Sequence, residues 1–169
     1  MSKPGKRREG REVAVQILFH LDHNTTPLDE ALPGVWSFRT DSDKPLASSD
    51  KARLFAEELV RGVQSHRADI DARIQRAADN FEINRIGGVE RAILRVATYE
   101  MLHCLEVPPV VSITEAIEIS KKFGAEEASR FVNGVLDRIR SEIKRPARTA
   151  APGTGTTADT KSGSGPADQ

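Results

Sequence analysis

Apolar residues recur along this chain at spacings of three and four, the mark of helices with one face turned to a core. Ala14, Ile17, Leu18 and Leu21 follow the rule, as do Ala52, Phe55, Ala56, Leu59 and Val63. Ile70, Ile74, Ala77 and Phe81 form a third set, and Val89, Ala92, Ile93, Val96 and Ala97 a fourth. Ile113, Ala116, Ile117, Ser120 and Phe123 make a fifth. Val132, Val135, Leu136, Ile139 and Ile143 place a sixth over residues 130–143. No comparable stretch alternates with period two, so the pattern predicts an all-α fold.

Punctuation agrees with these segments. Ser49 and Asp50 are placed to cap the second, and Ser112 with Glu115 reads as a capping box for the fifth. Pro108 and Pro109 separate the fourth from the fifth, and Gly87 with Gly88 breaks the chain before Val89. Gly124 stands where a left-handed C-terminal residue is expected. Residues 24–48 carry weaker signals: Leu32, Trp36 and Phe38 are expected to dock on the body, with a short helix around Pro27 to Leu32.

Composition bounds the ordered part. The stretch "PARTAAPGTGTTADTKSGSGPADQ" contains no Val, Ile, Leu, Met or aromatic residue, so a disordered tail is expected over 145–169. The rest is long enough for one core that buries close to 70% of its unfolded surface. One cysteine, Cys104, excludes an internal disulfide and the usual zinc spacings. The charged opening is no signal peptide, and no apolar run approaches the ~20 residues needed to cross a bilayer. A soluble, cytoplasmic protein with no membrane contact is expected.

Charge sharpens the picture locally. Twenty-five basic and 25 acidic residues cancel overall, yet "MSKPGKRREGRE" carries an excess of three positive charges. Residues 1–12 therefore read as a basic arm on a neutral body over 13–144, and nucleic acid is the first anionic partner to consider. The plain alternative is a solubilising N-terminus.

No convergent set of catalytic groups is evident. His20 and His23 are three residues apart but lack a third ligand, "IGGVERA" is no phosphate loop, and Cys104 sits in an apolar helix end. No enzyme activity, metal or cofactor is expected. The segment "KKFGAEEASRFVNGVLDRIR" is more informative. It brings Lys121, Lys122 and Arg130 close in sequence to Phe131 and Asn133. Cations, an aromatic ring and an amide are what single-stranded RNA recognition uses. Taken singly, the lysines suit a helix C-terminus and Phe131 suits a core. Gly134 is expected to permit close helix packing.

At these residues the chain resembles a known family, the transcription antitermination factor NusB. The resemblance rests on "KRREGREVAVQILF" (6–19), "VERAILRVATYEML" (89–102) and above all "ITEAIEISKKFGAEEASRFVNGVLD" (113–137). It spans about residues 6 to 144, with Thr114 where asparagine is common. It implies a compact helical domain of two packed three-helix bundles. It also implies binding of boxA-type single-stranded RNA in ribosomal RNA leader transcripts, together with the small-subunit ribosomal protein NusE. In that role the protein would support the RNA polymerase antitermination complex. Carried over by motif, the RNA-facing residues are Lys6, Arg7, Arg8, Arg11, Glu90, Arg91, Glu127, Phe131 and Asn133. Glu127 replaces an aspartate frequent in the family. Two other classes stay open: a helical protein-interaction module with incidental RNA contact, and a detached version of the NusB-like domain that precedes some RNA methyltransferases. The second lacks support, since no cofactor-binding αβ segment is evident. Homodimer formation is not decided by the sequence.

Overall fold

The computed structural model describes residues 5–38, 43–123 and 126–143. Lys3 of the arm, the C-cap assigned to Gly124 and the tail assigned to 145–169 lie outside the described residues. Within them are seven α-helices: α1 (Lys6–His23), α2 (Leu28–Ser37), α3 (Asp50–Ser65), α4 (Arg67–Ala77), α5 (Gly88–His103), α6 (Pro109–Phe123) and α7 (Glu126–Glu142). A single 3-10 turn, Ile83–Arg85, precedes α5.

The expected helices are present, with two changes at their edges. Ser49 caps α3 as anticipated, its hydroxyl accepting from the Ala52 N–H at 3.3 Å. The capping box at Ser112 does not form. α6 begins at Pro109, whose fixed φ suits a first helical position. Ser112 then lies inside the helix with its buried hydroxyl unpaired among the described residues, and Glu115 turns to Arg8 instead. The short helix expected near Pro27 extends to Ser37, with Pro33 in its interior. Of the three residues expected to dock there, Leu32 is buried and Trp36 half-buried, while Phe38 is exposed.

α5 is the spine. Ala92 to Thr98, Glu100 and Met101 are all buried, so this helix is enclosed on nearly every side. α1 packs against α3 and α5, α6 packs on α7 and α5, and α4 closes between α5 and α7. Two close approaches depend on glycine. A Cβ at Gly10 of α1 would stand 2.7 Å from Phe55 Cδ1 and 3.0 Å from the Ala52 carbonyl oxygen. A Cβ at Gly62 of α3 would collide with the Tyr99 ring. Gly134 of α7 differs from the expectation: nothing lies within 4 Å of its Cβ position, so close packing does not account for it.

Charge is buried along α5 at two levels. Near its end, Glu100 accepts from Arg11 Nε at 2.8 and 3.0 Å and from Nη2 at 2.8 Å. Near its start, Asp22 of α1 accepts from Arg95 at 2.7 Å, Arg91 at 3.0 Å and Arg67 at 2.7 Å. Arg95 also donates to Asp71 of α4 at 2.8 and 3.1 Å. Burial pushes the Asp22 carboxyl up, but the charge of Arg95 and the hydrogen bonds from Arg91 and Arg67 outweigh it, leaving the pKa below its ordinary 3.8. A carboxylate with a depressed folded-state pKa contributes stability above its unfolded pKa and loses it as pH falls through the folded one.

Two outcomes are expected. Asp22→Asn strips one partner from three arginines and lowers unfolding free energy by about 3 kcal/mol at neutral pH. That deficit relative to the parent is constant above about pH 4 and narrows as pH falls below the ordinary carboxylate value, which denaturant titrations at several pH values will read. Gly134→Ala gains about 0.5–1 kcal/mol, because the helix interior prefers alanine and the methyl group meets open space. Thermal unfolding measures it.

Candidate nucleic-acid interface

Side chains of α1 and α6 meet along one seam, in the same order along both helices. Arg8 donates through Nε and Nη2 to both Glu115 oxygens at 2.8 Å each. These bonds raise the Arg8 pKa further and hold the Glu115 carboxyl below its ordinary value, with burial opposing both. Further along, Lys122 pairs with Glu12. Beyond it, Phe123 of α6 and Phe19 of α1 line a groove of about 570 Å³ with Val15, His20, Val35 of α2 and Val89 of α5. Phe19 is 39% and Phe123 38% exposed. The Phe19 ring lies against Gly88, where a Cβ would be 2.9 Å from Cε2, and stands 4.5 Å from the His23 ring between centroids.

The N-terminal arginines have three different fates. Arg7 is exposed and its guanidinium carbon lies 5.5 Å above the Phe55 ring centroid. Arg8 is partly exposed, its Nε and Nη2 both engaged by Glu115. Arg11 is only 4% exposed, saturated by Glu100 and 3.7 Å from Glu115. It is an internal ion-pair residue, and the expectation that it touches an RNA backbone is corrected. Lys6 is exposed at the head of the same helix.

Arg91 is less deeply buried but is likewise engaged internally. Its Nε donates to Asp22, and Nη1 to the carbonyls of Ile83 and Ile86 at 3.2 and 3.0 Å, so it staples the α5 entry to α1. Glu90 is half-buried in the first turn of α5 with its carboxylate folded over Gly87, where a negative charge suits the helix N-terminus.

α7 does not present its residues as one group. Phe131 and Asn133 are two positions apart, which on a helix is about 200° of rotation. Phe131 is half-buried and meets Phe81 edge-on at 5.2 Å between centroids. With Arg130, Gly134 and Arg138 it lines a groove of about 210 Å³ against the end of α4. Asn133 is exposed and absent from that groove, and Glu127 is exposed one turn before Phe131. Lys121 pairs with Glu118 on its own helix at 3.2 Å. This groove is lined from α7 and the end of α4, whereas the larger one is lined from α1, α2, α5, α6 and the connection after α2.

Sequence reasoning missed Phe19 and took Phe123 and Phe81 as core because each falls on helical apolar spacing. The usable signal lay elsewhere. Phe123 follows two lysines at a helix end, and Phe19 lies four residues before His23 on the same helix face.

Comparison with known proteins identifies the family and the fold. The NusB family model matches residues 8–141. The transcription antitermination protein NusB of Myxococcus xanthus is 43% identical over 142 residues, 84% of this chain and 99% of that protein. A solved structure of T. maritima NusB superposes with a TM-score of 0.68 at 35% identity, covering 84% of this chain and 94% of the other. A crystal structure of antitermination factors NusB and NusE in complex with dsRNA contains a chain that superposes at 0.69 with 26% identity, covering 80% and 96%. The match spans nearly all of the described helices, including the seam and both grooves, and the chain belongs to the NusB family.

Proposed function

We propose that this chain is a non-catalytic transcription antitermination factor of the cytoplasm. It binds boxA-type single-stranded RNA of ribosomal leader transcripts and acts with a NusE-type partner in the RNA polymerase antitermination complex. One observation carries the RNA reading: a row of cations on α1 and α6 leads into two half-exposed phenylalanines at the mouth of an apolar groove. Phosphates contact Lys6, Arg7, Arg8 and Lys122, which gives affinity and salt dependence. Bases stack on Phe123 and Phe19, and Glu90, next to the groove-lining Val89, is assigned to the same surface. Arg11 and Arg91 act indirectly, by fixing α1 and α5. Lys121, Glu127, Arg130 and Asn133, all exposed on α6 and α7, are assigned to the same RNA-facing surface.

The α4–α7 groove favours a second role for Phe131. Its aromatic pair, bounded by Arg130 and Arg138, suits a protein partner at least as well as a base, and NusE is the partner class we assign to the complex. A titration of a boxA-type oligonucleotide with and without NusE distinguishes the two roles: Phe131→Ala weakens the ternary complex while leaving direct RNA binding within about twofold.

For RNA alone, Lys6→Ala with Arg7→Ala is expected to lower affinity and to reduce the slope of log K against log salt by about 0.7 for each phosphate no longer neutralised. Phe19→Ala and Phe123→Ala are each expected to weaken binding by about 1–3 kcal/mol with little change in that slope. Fluorescence anisotropy at several salt concentrations measures both. Equal binding of boxA-type and scrambled oligonucleotides by the parent, alone and with NusE, would remove the reading.

A further inference from the structure

Phe55 has the spacing of a core residue on α3, yet it is only half-buried and lies under two guanidinium groups. Arg7 is 5.5 Å and Arg11 5.6 Å from its ring centroid. The two arginines are one helical turn apart on the same face of α1. Their situations differ completely. Arg11 is enclosed and saturated by the Glu100 carboxylate, so the ring adds little to its placement. Arg7 is exposed and has no carboxylate partner among the described residues, and the ring is the neighbour that fixes where its charge sits.

We propose that Phe55 is a positioning residue for RNA binding: its face holds the Arg7 guanidinium in place on the surface, with the N–H groups directed outward to a phosphate. The inference rests on the reading of the α1 start as an RNA contact. An arginine side chain has several rotatable bonds and loses much freedom when it binds, whereas a guanidinium already lying on an aromatic face loses less. The ring attracts the cation without consuming its hydrogen-bond donors, as a carboxylate would. The platform itself is firm. Its Cδ1 presses on the α1 backbone where a Cβ at Gly10 would stand 2.7 Å away, so the ring is wedged between α3 and α1. Arg8 is held by other means, through Glu115, so the row is pre-set at two successive positions by two different devices.

The test separates an aromatic face from mere bulk. Phe55→Tyr keeps the face; Phe55→Leu and Phe55→Met keep apolar volume without it. Each is made in the parent and in an Arg7→Ala background, its folding is checked by circular dichroism and thermal unfolding, and binding of a fluorescent boxA-type single-stranded RNA is measured at one low salt concentration. The expected result is Phe55→Tyr within about twofold of the parent and the Leu or Met variant about two- to fivefold weaker. In the Arg7→Ala background the Tyr, Leu and Met variants bind alike. Two results would overturn the inference: Leu and Met variants that match Tyr in the parent, or a difference of undiminished size without Arg7. If Arg7→Ala itself leaves RNA binding unchanged, the assignment of the α1 start to RNA fails instead. Should the Leu variant not fold, the Met variant supplies the comparison, and a tyrosine variant weakened as much as methionine counts against the proposal.

Discussion

α1 and α5 are joined by opposite charges buried at two levels, and the orientation of everything on the surface follows from that. Arg11 near the start of α1 meets Glu100 near the end of α5, and Asp22 near the end of α1 meets Arg91 and Arg95 near the start of α5. The two helices therefore run antiparallel in one register. A parallel arrangement would bring Arg11 toward Arg91 and Arg95 and Asp22 toward Glu100, stranding desolvated charges against like neighbours. Removing one partner from such a buried pair is far more costly than the pair is stabilising. The contribution of these charges is thus a penalty on alternatives rather than a large net gain in stability, while the apolar faces of the same helices supply the driving force for burial.

Fixing α1 in this register divides its arginines by angle. Arg7 and Arg11 share a face and share Phe55, but one turn of helix carries the chain from solvent into the α1–α5 interface. Arg8 points about 100° round from Arg7 and reaches α6. The same seam continues through Glu12, which meets Lys122, and ends at the groove lined by Phe19 and Phe123. A seam that begins with ion pairs and ends with rings is thus a consequence of two adjacent helices advancing together. It is also why its cations are moderated by Glu12 and Glu115: those acids face the neighbouring helix and hold it.

Most of the fold was legible because the apolar period is strong and the breaks are chemically explicit. Ser49 capped where it should, and Pro109 ended one connection and began a helix. What escaped were residues whose partners lie on another element. Arg11 and Arg91 look like the exposed arginines beside them, since nothing local announces Glu100 or Asp22 as their destination. Ser112 and Glu115 have the spacing of a capping box, but Pro109 starts the helix earlier and Arg8 claims the acid. Phe55, Phe81 and Phe123 have core spacing, yet none is fully buried. Asn133 and Phe131 are neighbours in sequence and nearly opposite on α7, an error of angle rather than of composition. The family resemblance supplied the RNA assignment, and the structure shows which of its residues are exposed and which are engaged in internal ion pairs.

Exposed aromatic area at the seam's end is the remaining constraint. Phe19, Phe38 and Phe123 leave apolar rings in water at one mouth, bordered on one side by α2, which carries Pro33 in its interior. Folding alone gives no reason to retain them, because a leucine on the inner face would bury as well and expose less. A ligand with flat apolar faces and a charged backbone does give a reason: in the proposed reading, bases would cover the rings while phosphates would lie beside Lys122 and Arg8. Rings beside cations occur at both grooves; at this one the cations continue along α1 to the exposed Lys6 and Arg7, and that length of positive charge is what favours a nucleic acid strand in the proposed reading.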